Sequence, residues 1–226
     1  MDTAFAHRML KRLEPWFETL KGLKERRDAH ALFDPATAAG RIRFDNLQVF
    51  LKQLLPWRPT VLLVGEAPGY RGAWRTGVNF CSEKIMMGPQ DCFGLFGGTA
   101  AGYRLIDEGE KLWGEASATV AQRAFQELPE PVFVWPALPM HPHQPGEDET
   151  NRTPTLGELR RDAVPQLERL IAIYKPKRIA AVGNIGQSTL AELGIEAVKI
   201  RHPAHGGGPA FRAGLLALMK DTADHP

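Results

Sequence analysis

The sequence is poor in cysteine, lacks long apolar runs and has no strong excess of charge. Its 226 residues include two cysteines, Cys81 and Cys92, too few for a disulfide scaffold or a four-cysteine iron–sulfur or zinc site. No segment approaches the roughly 20 apolar residues of a membrane span. A net charge of +2 is milder than that of strongly basic nucleic-acid-binding domains, although a local basic groove is compatible with it. We therefore expect a cytoplasmic protein without a membrane segment or a bound cofactor.

The length and composition suit one globular domain. Hydrophobic residues make up 43% of the chain and charged residues 24%, an ordinary balance for a folded protein. The spacing of Phe5, Met9 and Leu13 predicts an amphipathic first helix without the apolar core of a signal peptide. We predict a single domain over residues 1–226, with N-terminal helices in residues 1–56 packed on it.

Four short apolar runs alternate with helical patterns. The predicted strands are Thr60–Val64, Pro131–Trp135, Arg178–Val182 and Glu196–Ile200. The predicted helices after the first are Phe44–Leu55, Ala116–Leu128, Thr155–Tyr174, Ser188–Leu193 and Ala210–Lys220. Thr155 and Glu158 form a capping-box pattern, and Pro165 should kink that helix. The alternation predicts an α/β fold, a three-layer α/β/α sandwich with a central, mainly parallel four-stranded sheet.

The loops after the predicted strands are the expected location of a functional site. In open parallel sheets, ligands bind beyond the carboxyl ends of the strands. This rule selects the four segments Gly65–Gly98, Pro136–Pro154, Gly183–Gly186 and Arg201–Pro209. Two of them are long, and long loops inside a compact domain are usually functional.

Two of these loops carry candidate catalytic groups. Gly65 allows the backbone to turn and a ligand to approach closely, and Glu66 at the strand tip could orient a water molecule. Taken alone, Glu66 could instead cap a turn or pair with a nearby arginine. His202 follows the last strand and could donate a hydrogen bond to an oxygen that gains negative charge. The alternative is a surface histidine in a glycine-rich linker, which suits His205 better.

Together, these loops resemble those of the uracil-DNA glycosylase superfamily. Residues 65–80, GEAPGYRGAWRTGVNF, are similar to the first motif of the single-strand-selective monofunctional uracil glycosylases. The GEAPG core also resembles that of the iron–sulfur uracil glycosylases. His202-Pro203 is similar to the second motif of the superfamily, and residues 151–155, NRTPT, with Val182-Gly183-Asn184, resemble a connecting region of related bacterial sequences. The similarity extends from Thr60 to Arg212.

The resemblance implies a monofunctional DNA repair glycosylase that hydrolyses the N-glycosidic bond of uracil, or of a related deaminated base, and leaves an abasic site. Single- or double-stranded DNA is the implied partner, and we expect a monomer without a metal. Glu66 resembles the water-orienting residue and His202 the group that steadies the departing base. The implied substrate-binding residues are Gly65, Ala67, Asn79 and Phe80, with Phe80 stacking on the base. The implied DNA-binding residues are Gly69, Arg75, Arg201, His205, Gly206 and Gly207.

The sequence departs from the superfamily pattern at three places. Many relatives read the uracil edge with an asparagine after the second strand, where this chain has Trp135-Pro136-Ala137, and Asn79 is the candidate to replace it. The second motif has no large apolar residue to fill the gap left by a flipped base. His205 could fill that gap, or the enzyme could prefer single strands, in which unstacking costs less. The cysteines of the iron–sulfur relatives are absent, which excludes their cluster.

Two histidines, His141 and His143, lie in a proline-rich segment. Histidines two residues apart could bind a metal, but no carboxylate or cysteine completes a familiar spacing, so we expect a rigid loop with surface histidines. The candidate phosphate contacts, each equally compatible with a solvated charge, are Arg152, Arg160, Arg161, Arg201 and Arg212.

Two alternative functions remain open. One is a DNA-binding module that has the glycosylase fold but no catalysis, which the missing asparagine motivates. The other is a nucleoside or nucleotide hydrolase. It is disfavoured because the sequence lacks a phosphate-binding G-x-x-x-x-G-K-[ST] motif and a G-x-G-x-x-G motif after its first strand.

Overall fold

The computed structural model describes residues 1–107, 109 and 111–223. The strands are β1 (Ala29–Ala31), β2 (Val61–Val64), β3 (Phe133–Trp135), β4 (Met140–Pro142), β5 (Arg178–Val182) and β6 (Val198–Ile200). The α-helices are α1 (Thr3–Lys21), α2 (Ala38–Leu54), α3 (Ala73–Thr76), α4 (Glu83–Met86), α5 (Ala116–Phe125), α6 (Leu156–Glu158), α7 (Val164–Tyr174), α8 (Gly183–Glu192) and α9 (Gly208–Ala223). None of the helices in these residues is long and apolar enough to cross a membrane.

The central sheet has four strands in the order β3-β2-β5-β6, and all neighbouring strands are parallel. The predicted α/β fold is therefore confirmed. Because the strands run in the same direction, their carboxyl ends meet at one edge of the sheet. The segments that follow β2, β3, β5 and β6 start from this edge.

The sheet is covered on both faces, as the continuous apolar sequence of β2 predicts. Leu62 and Val64 belong to the core shared with α1, α2 and α7. Val61 and Leu63 point the other way, into the core shared with α5 and α9. All four side chains are buried, because successive residues of a strand face opposite sides of the sheet.

The segment after β5 is helical, which corrects one predicted loop. Residues 183–186 form the first turn of α8, whereas the sequence pattern predicts a loop there and a helix that begins at Ser188. Gly183 adopts a φ of +82°, a conformation that favours glycine, and the chain turns there directly from strand to helix. The last strand is also shorter than predicted, beginning at Val198.

The helix around Pro165 begins with the predicted capping box. The Thr155 hydroxyl accepts a hydrogen bond from the Glu158 amide, and the Glu158 carboxylate accepts one from the Thr155 amide. The helical backbone continues to Tyr174 through a wider π-helical segment, Leu159–Ala163. Pro165 lies in the first turn of α7, directly after this segment, where its missing N–H is tolerated.

A small second sheet was not predicted, and it corrects the placement of the two histidines. Strand β1 pairs with β4 in an antiparallel register in which His30 faces His141. His141 and His143 are 0% and 2% exposed, so the expectation of surface histidines is wrong. The ring nitrogens of His141 contact the Pro68 and Asp148 carbonyl oxygens at 2.7 and 3.0 Å. This sheet thereby fixes the segment after β3 against the loop after β2.

Candidate active site

A cavity of about 370 Å³ opens at the carboxyl edge of the central sheet. Segments that are distant in the sequence line it: residues 66–69 after β2, Asn79 and Phe80, Glu115 just before α5, residues 151–154, and His202, Ala204 and His205 after β6. Its volume lies within the range of roughly 300–1,000 Å³ typical of small-molecule pockets. The cavity is therefore large enough for a single heterocyclic base.

Glu66 presents its carboxylate to this cavity from the tip of β2. The carboxylate packs against the first turn of α8. A Cβ atom added at Gly183 would lie only 2.5 Å from its Oε1, so a glycine at this position leaves room for the carboxylate. It makes no hydrogen bond to the described residues. Burial raises the pKa of Glu66, and the nearby Arg201 opposes that rise. Glu66 therefore has the free oxygen atoms that a water-orienting carboxylate needs.

His202 faces the same cavity from the segment after β6. Burial lowers its pKa to about 4, and the positive charges of Arg201 and His205 add to this effect, so the ring is neutral near pH 7. The backbone N–H of Ala204 donates a hydrogen bond to Nδ1 at 3.2 Å. Because Nδ1 accepts, the neutral ring carries its proton on Nε2. His202 thus offers a single N–H donor.

Phe80 belongs to both the cavity wall and the hydrophobic core. Its ring lies 5.6 Å from the His202 ring and packs against Phe125 and Phe211. The backbone at Phe80 has a φ of +46°, and Gln122 holds its carbonyl oxygen with a hydrogen bond of 3.0 Å. A bulky residue with positive φ is strained, which is common at binding sites.

Comparisons with known proteins place this architecture in a family. A family described as the Uracil DNA glycosylase superfamily matches residues 51–209, more than half of the chain. The chain belongs to the uracil-DNA glycosylase superfamily. Its fold is similar to that of SMUG2 from Pedobacter heparinus, with a TM-score of 0.68, 11% sequence identity, and coverage of 96% of this chain and 98% of the other. No curated protein matches the sequence significantly.

The two superfamily motifs recognised in the sequence meet at this cavity. The motif residues that line the cavity are Glu66, Ala67, Gly69, Asn79, Phe80, His202 and His205. Gly65 lies directly behind Asn79 and Phe80, where an added Cβ would be 3.0 Å from the Asn79 Nδ2 and 3.4 Å from the Phe80 ring. A glycine at position 65 therefore allows both side chains to approach the end of β2. The catalytic and substrate-binding roles of these residues stay predictions.

Asn79, a residue of the cavity wall, has an unused hydrogen-bond donor. Its Nδ2 is buried and has no hydrogen-bond partner among the residues that the structure describes. Asn79 and Pro136 line a common small cleft. An amide with a free donor in this wall can meet the carbonyl edge of a base.

Glu115 is a cavity residue that the sequence motifs do not include. It precedes α5, but its side chain makes no capping bond and turns into the cavity. Its Oε1 would lie 2.7 Å from a Cβ atom at Gly69, so the glycines of the first motif leave space for this carboxyl. Burial raises the pKa of Glu115 to about 7. In the sequence, Glu115 is distinguished only by its position just before a predicted helix. That position indicates a helix cap rather than a residue of a functional site.

Two of the expected DNA contacts conflict with the structure. Arg75 is 8% exposed, and its guanidinium donates to Glu83 at 2.6 Å and to Asp107 at 2.7 Å, so it is committed to a largely buried ion-pair network. The backbone N–H of Gly207 donates to the Ala204 carbonyl at 3.0 Å and is not free for a phosphate. Arg201, His205 and Gly206 are exposed beside the cavity, and their contact with DNA stays a prediction.

Several other arginines are held in ion pairs. Arg160, Arg161 and Arg212 are paired with Glu192, Asp162 and Glu127. Arg152 lines the cavity but donates to both Glu158 and Asp28. Burial alone would raise the pKa of Glu158, but its bonds to Arg152 and Thr155 outweigh that effect and lower the pKa to about 2. This network holds residues 151–154 against the start of α6.

Proposed function

We propose that the protein is a DNA glycosylase that hydrolyses the N-glycosidic bond of uracil, or of a related deaminated base, in DNA. The observation that carries this proposal is the presence of Glu66, Phe80 and His202 in one cavity at the carboxyl edge of the sheet. Membership of the superfamily supports it. The product is an abasic site, and the strand itself stays intact.

In the proposed reaction, the target nucleotide first leaves the base stack and its base enters the cavity. The Phe80 ring stacks on the base. The Glu66 carboxylate accepts a hydrogen bond from a water molecule and directs the water oxygen at C1′ of the sugar. As the C1′–N bond breaks, the carboxylate also stabilises positive charge on the sugar. The water oxygen forms the new bond to C1′, and its proton passes through Glu66 to solvent.

His202 acts on the other product of the same step. The departing base takes the electron pair of the broken bond and carries negative charge on its carbonyl oxygen. The neutral His202 ring donates the Nε2 hydrogen to that oxygen, and the base acquires its proton later from solvent. A fixed neutral donor suits this task, because it stabilises the anion without itself changing protonation state.

A set of oligonucleotides with one lesion each tests the proposal. The full chain is incubated with single- and double-stranded DNA containing uracil, hypoxanthine or xanthine, and abasic sites are then cleaved with alkali. We expect strand scission at uracil or at another of these bases. Tight, salt-dependent DNA binding without scission at any base would instead indicate a non-catalytic DNA-binding module.

The Asn79 amide is expected to select bases that present a carbonyl next to an N–H. Its Nδ2 can donate to O4 of uracil while its Oδ1 accepts from N3–H. Asn79→Leu should lower kcat/KM for uracil by about 10- to 100-fold, because each well-placed pair of base-edge bonds gives about 1–3 kcal/mol of discrimination. Single-turnover base release, with the melting temperature as a check on folding, measures this. An unchanged kcat/KM for every base would contradict the role of Asn79.

Glu115 is expected to set an alkaline limit on activity. Its pKa of about 7 means that the carboxyl is neutral below this pH and ionises as the pH rises through it. A second negative charge in the cavity opposes the anion that forms on the base. Base release should therefore fall by about tenfold by about pH 9, since like charges in a cavity of low dielectric interact strongly.

Glu115→Gln provides the comparison for this pH profile. The glutamine keeps the shape of the side chain but cannot ionise, so the alkaline decline should disappear while the rate near pH 6 stays close to that of the wild type. Glu149→Gln, a charge change on an exposed loop, should retain the wild-type profile. The same alkaline decline in the wild type and in Glu115→Gln would assign it to another group.

A further inference from the structure

Three potential metal ligands from separate segments meet next to the small sheet. They are His30 on β1, His143 just after β4, and Asp148 in the loop that follows. One ligand atom from each residue lies within 4.8 Å of the others. His143 is 2% exposed, whereas the Asp148 carboxylate is 64% exposed and free to adjust. The cluster is outside the set of residues that line the active-site cavity.

The contact between His30 and a carboxylate resembles those of many metal-binding histidines. Its Nδ1 contacts the Glu25 carboxylate, which also accepts a hydrogen bond from the Ala31 backbone at 2.8 Å. A histidine that gives its Nδ1 hydrogen to a carboxylate presents the lone pair of Nε2, and such pairs are typical of metal-binding histidines. The Nε2 of His30 lies 3.3 Å from Asp148 Oδ1.

His143 supplies a second nitrogen with unused capacity. Its Nδ1 lies 2.9 Å from the Gln144 carbonyl and 3.7 Å from Asp148 Oδ1. Its Nε2 is buried and has no hydrogen-bond partner within the described part of the chain, and the same is true of His30 Nε2. Buried polar atoms without partners are uncommon, and a bound ion can account for them.

We propose that His30, His143 and Asp148 form a binding site for a divalent transition metal of the zinc type. Two imidazoles and one carboxylate are a ligand set that Zn²⁺ accepts, and a water molecule can complete four-coordination. The two rings are stacked, with centroids 4.2 Å apart and planes 18° from parallel. Binding therefore requires one ring to rotate so that both lone pairs point at the ion.

The position of the site suggests a structural role. Asp148 lies between β4 and residues 151–154, which line the active-site cavity. An ion held by His30, His143 and Asp148 ties this exposed loop to β1. The proposed metal thus fixes one wall of the cavity without taking part in the reaction.

Calorimetric titration of the chelator-treated, tag-free full chain with ZnCl₂ tests the site. We expect one saturable site per chain, and a melting temperature that rises by roughly 5 °C or more at about a hundredfold excess over the dissociation constant. Asp148→Asn should weaken zinc binding by about tenfold or more, given that loss of a supporting group alone costs about 10- to 100-fold. Mg²⁺ should not bind, because it prefers an oxygen-only ligand set.

Matched variants make the outcome decisive. Glu149→Gln changes a neighbouring exposed carboxylate and should bind zinc like the wild type. His143→Gln should lose binding and is checked for folding by its melting temperature without metal. The absence of saturable zinc binding, or equal affinity in the wild type, Asp148→Asn and His143→Gln, would show that the cluster is only a set of histidine–carboxylate contacts. Because the readout is metal binding, neither result depends on base release.

Discussion

Glu66→Gln is expected to slow base release in single turnovers by about 10²- to 10⁴-fold, the usual contribution of a positioned base. The glutamine has nearly the same shape, so it fits the space beside Gly183. It cannot accept a proton from water or carry the negative charge that stabilises the sugar cation. DNA affinity should be almost unchanged, because the substitution affects the transition state more than the bound substrate.

The pH profile adds a second measurement for Glu66. Burial raises its pKa, so the carboxylate is protonated and inactive at a higher pH than an exposed glutamate would be. Wild-type activity should therefore fall as the pH drops through this raised pKa. Glu196→Gln, the same chemical change at an exposed position before β6, is the matched control and should keep full activity. If Glu66→Gln released the base at the wild-type rate, the proposed mechanism would be wrong.

His202→Ala is expected to lower kcat by about 10²- to 10³-fold, the usual effect of removing one donor to a developing anion. The loss should fall mainly on kcat, because the departing base gains its charge only as the bond breaks. His7→Ala, a change of an exposed histidine on α1, serves as the control. A loss confined to KM would indicate that His202 only binds the substrate.

The ratio of the base-release rate of the wild type to that of His202→Ala should be constant between about pH 6 and about pH 8. The pKa of His202 is lowered to about 4, so the ring stays neutral over this range. A ratio that changed steeply near pH 6.5 would mean that the ring titrates as an ordinary exposed histidine. It would also contradict the burial of His202 beside Phe80.

The centre of the sheet could be predicted from the sequence because strands such as β2 are buried on both faces. Val61–Val64 is a continuous apolar run, and such a run between helical patterns is typical of a strand in a parallel sheet. Strands β1 and β4 could not be found in this way. Each is a three-residue strand with a histidine at its centre, so neither forms a continuous apolar run. Their pairing depends on contacts between positions more than 100 residues apart, which a local pattern does not contain.

The site was only partly predictable, and the reason differs between residues. Glu66 and His202 each lie two residues beyond the end of a strand, so the parallel topology brings them to one edge. Glu115 enters the cavity because its side chain turns away from the helix that it precedes, an orientation that the sequence does not encode locally. Arg75 lies within the first motif, yet ion pairs with Glu83 and Asp107 hold its buried side chain.

The crystal structure of the protein with an oligonucleotide containing 2′-fluoro-2′-deoxyuridine, whose glycosidic bond resists cleavage, tests the central claim most directly. We expect the uracil to be turned out of the strand, with its face on Phe80, a carbonyl oxygen at His202 Nε2 and C1′ towards the Glu66 carboxylate. A base that remained stacked in the DNA, or that lay in a different pocket with this cavity closed, would contradict the proposed site.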